Sequence, residues 1–162
     1  MSTRGVIFVH SSPTAVCPHV EWAISGVLGT RVSLEWTAQP AAPGLLRTEC
    51  TWSGPAGSAG ALAGALRAWP MLRFEVTEEP SHGVDGERFC YAPSLGLWRG
   101  RTSANGDIVV SEDQLRGLMV DTPAAQVAGR LQDLLGSAWD TALEPFRLAG
   151  DGAPVTWLHQ VG

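Results

Sequence analysis

The sequence contains no lysine: all eleven of its basic side chains are arginines. That absence excludes a phosphate-loop lysine, a Schiff-base lysine and a lysine general base. Charge of either sign is sparse, at 17% of 162 residues, and the net charge is −5 with the arginines scattered along the chain. Nucleic acid demands a concentrated basic footprint, so no nucleic-acid partner is expected. No stretch approaches the roughly 20 apolar residues of a membrane span, so no membrane partner is expected either. The apolar run before His10 is too short for the core of a signal peptide. Cysteine occurs only as Cys17, Cys50 and Cys90, an odd number without a CxxC pair. Reduced thiols in a cytoplasm are expected rather than a disulfide framework.

What is present is apolar and aromatic: 44% hydrophobic residues, with seven tryptophans. A chain of this length and composition buries a substantial core without a staple. Its composition has no break, which predicts a single domain over residues 1–162, with a first half at 1–80 and a second half packed on it.

Gly5 to His10 (GVIFVH) is apolar at nearly every position and predicts a strand covered on both faces, ended by Ser11-Ser12-Pro13-Thr14. Val16, Val20, Ala23, Ile24, Val27 and Leu28 follow at helical spacing, with Thr14 as the expected cap, Pro18 in the first turn and Gly29 as the stop. Alternation of Val32, Leu34 and Trp36 with polar residues predicts a second strand over 31–37, and the same pattern predicts its partner over 46–52. Beyond the glycine-rich Gly54 to Gly60, Leu62, Ala65, Leu66 and Trp69 mark a short helix. Leu72, Phe74 and Val76, alternating with Arg73, Glu75 and Thr77, mark a fourth strand. The order β-α-β-β-α-β predicts a ferredoxin-like α+β core, an antiparallel sheet with two helices on one face.

The second half predicts strands at Arg88 to Tyr91 and Leu95 to Thr102, a tight turn at Asn105-Gly106 and a return strand over Asp107 to Val110. Ser111 and Gln114 have the spacing of a capping box, which predicts a short helix to about Met119. From Thr122-Pro123 an apolar face through Val127, Leu131, Leu134, Leu135, Ala138, Trp139, Ala142 and Phe146 predicts one long helix, mildly interrupted at Gly136 and ending near Pro145. Val155 to Val161 is apolar enough to dock as a last strand.

At SSPTAVCPHVEWA (Ser11 to Ala23), LRFEVTEEP (Leu72 to Pro80), LGLWRGRTSANGD (Leu95 to Asp107) and VTWLHQ (Val155 to Gln160) the chain resembles a family of uncharacterised actinobacterial proteins of about this length, classed as a domain of unknown function. The resemblance covers nearly the whole chain. It implies an actinobacterial source, in keeping with arginine in place of lysine, and it supplies no catalytic residues.

The densest chemistry lies in HSSPTAVCPH, between a strand end and a helix start. There Cys17 is a candidate thiolate nucleophile with His10 or His19 as its base, since the free N–H groups of a helix start lower a thiol's pKa. Ser11, Ser12 and Thr14 are candidate ligand-binding hydroxyls for a small anion in the same place. A partial Cys/His metal site is a further reading of these side chains, with His159 as a distant fourth ligand, but the spacing fits no zinc motif and no metal is assigned. The plainer reading makes Cys17 a packed hydrophobe and His10 a satisfied buried histidine. SGPAGSAG (Ser53 to Gly60) sits where backbone amides cradle phosphate, but it lacks GxGxxG spacing and reads better as an entry loop of small residues. Glu78, Glu79, His82, Asp85 and Glu87 read as a solvated acidic loop before they read as a cation site. Trp22 and Trp98 are the aromatic candidates for partner contact.

No cofactor is implied. The leading functional expectation is a non-catalytic domain that binds a small anionic ligand or another protein, with self-association left open. The alternative is a small hydrolytic or thiol-dependent enzyme built on His10, Cys17 and His19.

Overall fold

In the computed structural model, which describes residues 2–149 together with the backbone of Val155–Trp157, strand β1 (Ser2–Pro13) lies inside the sheet with a neighbour on either side. It pairs antiparallel with β3 (Leu45–Pro55) and with β4 (Arg73–Glu78). The two-residue β2 (Thr37–Ala38) borders β3, while β5 (Gly86–Ala92), β6 (Gly96–Thr102) and β7 (Ile108–Val109) continue past β4. The order β2-β3-β1-β4-β5-β6-β7 is antiparallel throughout, and β8 (Val155–Trp157) adds a parallel pairing to β3 at Glu49–Thr51. The fold is therefore α+β, with a sheet wider than the expected four-stranded core and with a different overall strand order. The β5–β6 hairpin continues the ladder on the free side of β4, which makes β4 an interior strand.

Helices α1 (Cys17–Leu28) and α2 (Ser58–Leu66) pack on one face of this sheet. Alternation on the strands supplies that face with Ile7, Val9, Cys50, Trp52, Phe74 and Val76, all buried against Val20, Ile24, Leu62 and Leu66. Each such aliphatic or aromatic burial contributes about 1.5–3 kcal/mol. Gly5 lets β1 and β4 approach over Trp52. A Cβ built there meets the Thr77 carbonyl oxygen at 1.7 Å, and the same oxygen accepts the Trp52 indole N–H at 3.2 Å.

Around α1, two expected local structures differ. Residues 31–36 keep the predicted alternation, with Val32 and Leu34 buried, yet the strand narrows to β2. The reason is competition for backbone hydrogen bonds by side chains of α1: Ser25 Oγ accepts from Val32 N at 2.9 Å and Glu21 Oε1 from Leu34 N at 2.9 Å. Thr14 does not cap α1. It opens a 3-10 turn over Thr14–Val16, and the helix starts at Cys17 with Pro18 in its first turn and no side-chain cap.

The predicted capping box forms on α3 (Glu112–Asp121), where Gln114 N donates to Ser111 Oγ at 3.2 Å and Ser111 N to Gln114 Oε1 at 3.0 Å. The expected long helix after it is two helices, α4 (Val127–Leu135) and α5 (Ser137–Ala149). Gly136 separates them in the left-handed conformation at φ 73, with the Trp98 ring so close that a Cβ would lie 2.7 Å from its Cε2. Pro145 falls inside α5 instead of ending the helical segment.

α5 covers part of the second face of the sheet. Leu143 is buried there with Cys90, Ala92 and Trp98, and Arg73 stacks over the Phe146 ring at 4.4 Å. The buried Gln39 amide ties the two together by donating to the carbonyls of His10 at 2.7 Å and Phe146 at 3.3 Å. Among the described residues no helix is long and apolar enough to cross a membrane. The expected last strand is present over Val155–Trp157, and the remainder of that segment lies outside the described residues.

Candidate functional site

The second face of the sheet carries a row of directly opposed residues running Glu49, Phe8, Glu75, Cys90 and Trp98 across β3, β1, β4, β5 and β6. One register further along, β1 holds an extra residue. Val9 pairs with Thr48 and Phe74, but the next pairs are Ser12 with Leu46 and Ser11 with Arg73, which places a bulge at His10-Ser11. Bulges re-aim side chains, and this one leaves Val9, His10, Ser11 and Ser12 consecutively buried.

Glu75, 4% exposed, is the centre of this face. His10 Nε2 lies 2.6 Å from its Oε2, Arg147 Nε donates to the same oxygen at 2.8 Å, and Arg147 Nη2 donates to Oε1 to complete a two-pronged fork. Arg88 Nη2 donates to Oε1 at 2.9 Å, and the Cys90 thiol reaches it at 3.3 Å. On α5, Asp140, Glu144 and Arg147 share a helix face, so Asp140 also accepts from Arg147 Nη2 at 3.0 Å and Glu144 from Nη1 at 3.3 Å. Burial by itself pushes a carboxyl upward. The hydrogen bonds and charges of His10 and Arg147 overcome it and hold Glu75 well below the usual carboxylate range. Burial, reinforced by the Glu75 charge, pushes the Cys90 thiol up to about 12. Glu75 is thus an ionised anchor with its oxygens occupied, a poor proton acceptor and a strong organiser of the arginines around it.

Over this network lies a cleft of about 900 Å³, reaching from Arg47 and Glu49 on β3 across Phe8 and Glu75 to the turn at Ser103–Gly106. Arg88 and Arg147 enter it already paired. Arg47 is different: it is 4% exposed, its Nη2 stands 4.0 Å from Glu49, and its Nε and Nη1 have no partner. His10 Nδ1 is likewise buried and unpartnered.

Of the residues singled out from sequence, His10, Glu78, Glu79 and Glu87 border this cleft and the others lie elsewhere. Cys17 is buried at the start of α1, its sulfur 3.6 Å from Ser12 Oγ and 3.5 Å from the Pro13 carbonyl. Burial, helped by the charge of Glu21, raises its pKa, the opposite of the direction a thiolate nucleophile requires. His19 is exposed and tilts against Trp69 with ring centroids 5.9 Å apart, and no hydrogen bond joins Cys17 to either histidine. Ser11 is buried and accepts from Arg73 Nη1 at 3.3 Å, Ser12 donates to the Pro13 carbonyl at 3.0 Å, and Thr14 is exposed. Trp22 is 74% exposed on α1, whereas Trp98 is packed beside Trp139 and donates its indole N–H to the Asp133 carbonyl at 3.1 Å.

The glycine-rich loop does cradle an anion, and the anion is the chain's own: the Glu78 carboxylate accepts from Gly57 N and Ala59 N at 3.1 Å at the start of α2. That removes Glu78 from the acidic cluster. Among the described residues no group of three His, Cys, Asp or Glu side chains has a metal-binding arrangement, and His159 lies outside them.

Sequence reading missed Glu75, Arg88, Arg147 and Arg47. Alternation put Glu75 away from the α1/α2 core, where solvent is the default. The signal that could have found it was β1 itself, apolar on both faces and ending in a histidine, which requires a second covered face with polar partners for that ring.

A family model described as "Protein of unknown function (DUF3145)" matches residues 6–160. No curated protein and no solved structure matches the chain.

Proposed function

The chain belongs to the DUF3145 family, and we propose that it is a non-catalytic binding domain whose small polar ligand occupies the cleft on the second face of the sheet. One observation carries this reading: buried polar atoms of Arg47 and His10 stand without partners in the wall of a cleft large enough for a small molecule. Native proteins pair nearly all such atoms, so each one left open calls for a partner, and a cleft large enough for a small molecule supplies the place for it. The occupied oxygens of Glu75 favour recognition over proton transfer. The thiol-dependent reading on His10, Cys17 and His19 is weaker, because the Cys17 sulfur is buried and held by Ser12 and Pro13.

Other features fit the same picture. We read β1–β4 with α1 and α2 as a ferredoxin-like unit, supported by the antiparallel order β2-β3-β1-β4, to which β5–β7 and α3–α5 are added as the second wall of the cleft. Three free thiols suit a reducing cytoplasm.

The test is a thermal-shift screen of the purified chain against neutral, cationic and anionic small molecules, with hits mapped by NMR. Stabilising compounds are expected to perturb Phe8, Thr77, Arg88 and Ser103–Gly106. A set of hits that perturbs only other surfaces would remove the cleft as the binding site.

A further inference from the structure

We infer that the Arg47 end of the cleft is an oxyanion subsite, taking a carboxylate or phosphoryl group of the ligand, with His10 Nδ1 beside it as a second recognition point. This rests on the cleft being the binding site and adds which part of the ligand goes where.

Arginine keeps its charge in any protein environment, so burial leaves it no escape by deprotonation and its N–H groups must find acceptors. The other two arginines in the cleft have found theirs. Arg147 spends its donors on Glu75, Asp140 and Glu144, and Arg88 on Glu75 and Asp140. Arg47 has not. Glu49 faces only Nη2, at 4.0 Å, beyond hydrogen-bonding range, which leaves the Nε–H and both Nη1 hydrogens unused. Three N–H donors on one fixed positive charge match the several acceptor lone pairs of a carboxylate or phosphoryl group and match nothing on a neutral hydrocarbon.

His10 sharpens the specificity. Glu75 is ionised and only accepts, so His10 Nε2 carries a proton that points to Glu75, and Nδ1 is left free to meet the ligand. It lies on β1 at the bulge opposite Arg47, on the strand next to it and in the same cleft. A ligand carrying a hydroxyl, which both donates and accepts, next to its oxyanion satisfies both groups together. An oxyanion alone satisfies Arg47. Glu79 and Glu87, which border the far end of the cleft, disfavour an anion there, which favours the Arg47 end.

The test uses the intact chain and two probes, inorganic phosphate and acetate, followed through the arginine Nε–H signals in a proton–nitrogen NMR spectrum. With only eleven arginines the Arg47 signal is assignable in the wild-type chain by through-bond correlation from its side chain to its backbone amide. Expected is a saturable shift of the Arg47 signal, with His10 ring signals moving in step, and an affinity at least about tenfold weaker in Arg47→Gln by thermal shift. Response to phosphate alone assigns a phosphoryl group and response to acetate alone a carboxylate, each supporting the subsite. An Arg47 signal that neither probe moves overturns the inference, and this reading needs only the wild-type chain, so it stands even where Arg47→Gln fails to fold. A neutral ligand that perturbs Arg88 and Ser103–Gly106 without moving Arg47 would overturn the subsite while leaving the cleft as the binding site.

Discussion

His10 Nε2 and Glu75 Oε2 meet at 2.6 Å, although the two residues are 65 apart in sequence and both are buried. The bond crosses from a bulge on β1 to the middle of β4, and Arg147 on α5 closes it from above with a fork onto the same carboxylate. Three elements from distant parts of the chain are thereby fixed to one charge.

Removing that charge leaves its partners exposed to the full penalty of burial. Glu75→Ala is expected to lower stability by about 3–5 kcal/mol, the usual loss when one member of a buried ion pair is deleted. Urea unfolding measures it. A loss below about 1 kcal/mol would mean that water or other acceptors satisfy Arg147 and Arg88 without Glu75.

The same carboxylate gives a pH dependence with a definite sign. Its folded pKa lies below the ordinary value of 4.5, so its contribution is fully present above 4.5 and is lost progressively as pH falls beneath it. Stability measured from pH 7 down to pH 3 is expected to drop in that acid window, and Glu75→Gln, which has no proton to take up, is expected to flatten the drop.

Two glycines of α4, one inside the helix and one at its end, predict opposite outcomes. Gly136→Ala forces a left-handed backbone and places a methyl against Trp98, so it is expected to destabilise by at least about 1–2 kcal/mol and to shift tryptophan fluorescence. Gly129→Ala, inside α4 with open space around it, is expected to stabilise by about 0.4–1 kcal/mol. Thermal melts of the two variants settle both signs.

The cysteines are expected to be inert in the folded chain. Burial, with a nearby carboxylate in each case, pushes Cys50 and Cys90 up to about 12 and raises Cys17 as well. Iodoacetamide near neutral pH, read by mass spectrometry, should label all three in denaturant and none quickly in buffer. Rapid labelling of native Cys17 would restore the thiol-dependent reading.

Much of the fold was legible because it depends on periodicity. The alternation in β3 and β4, the helical spacing of α1, the α3 capping box and the Asn105-Gly106 turn are local patterns, and each appears in place. What misled was local patterning overruled by distant groups. Residues 31–36 alternate like a strand but surrender their backbone N–H groups to Ser25 and Glu21, and a continuous apolar face across Gly136 hid the need for Trp98 to approach the backbone there. The site was least legible. His10 stood out as a histidine at a strand end, while Arg47 and Glu75 sit in ordinary polar slots of alternating strands, and only the arrival of α5 on the second face converts those slots into an interior.

The edge of β3 has a consequence of its own. β2 covers it only at Leu46-Arg47, and β8 takes over at Glu49–Thr51, so chain from the far end of the sequence seals the backbone that β2 leaves bare. Shortening the protein ahead of Val155 would uncover those amides and carbonyls as a template for a foreign strand, and the expected defect is clumping between molecules before any loss of the α1/α2 core.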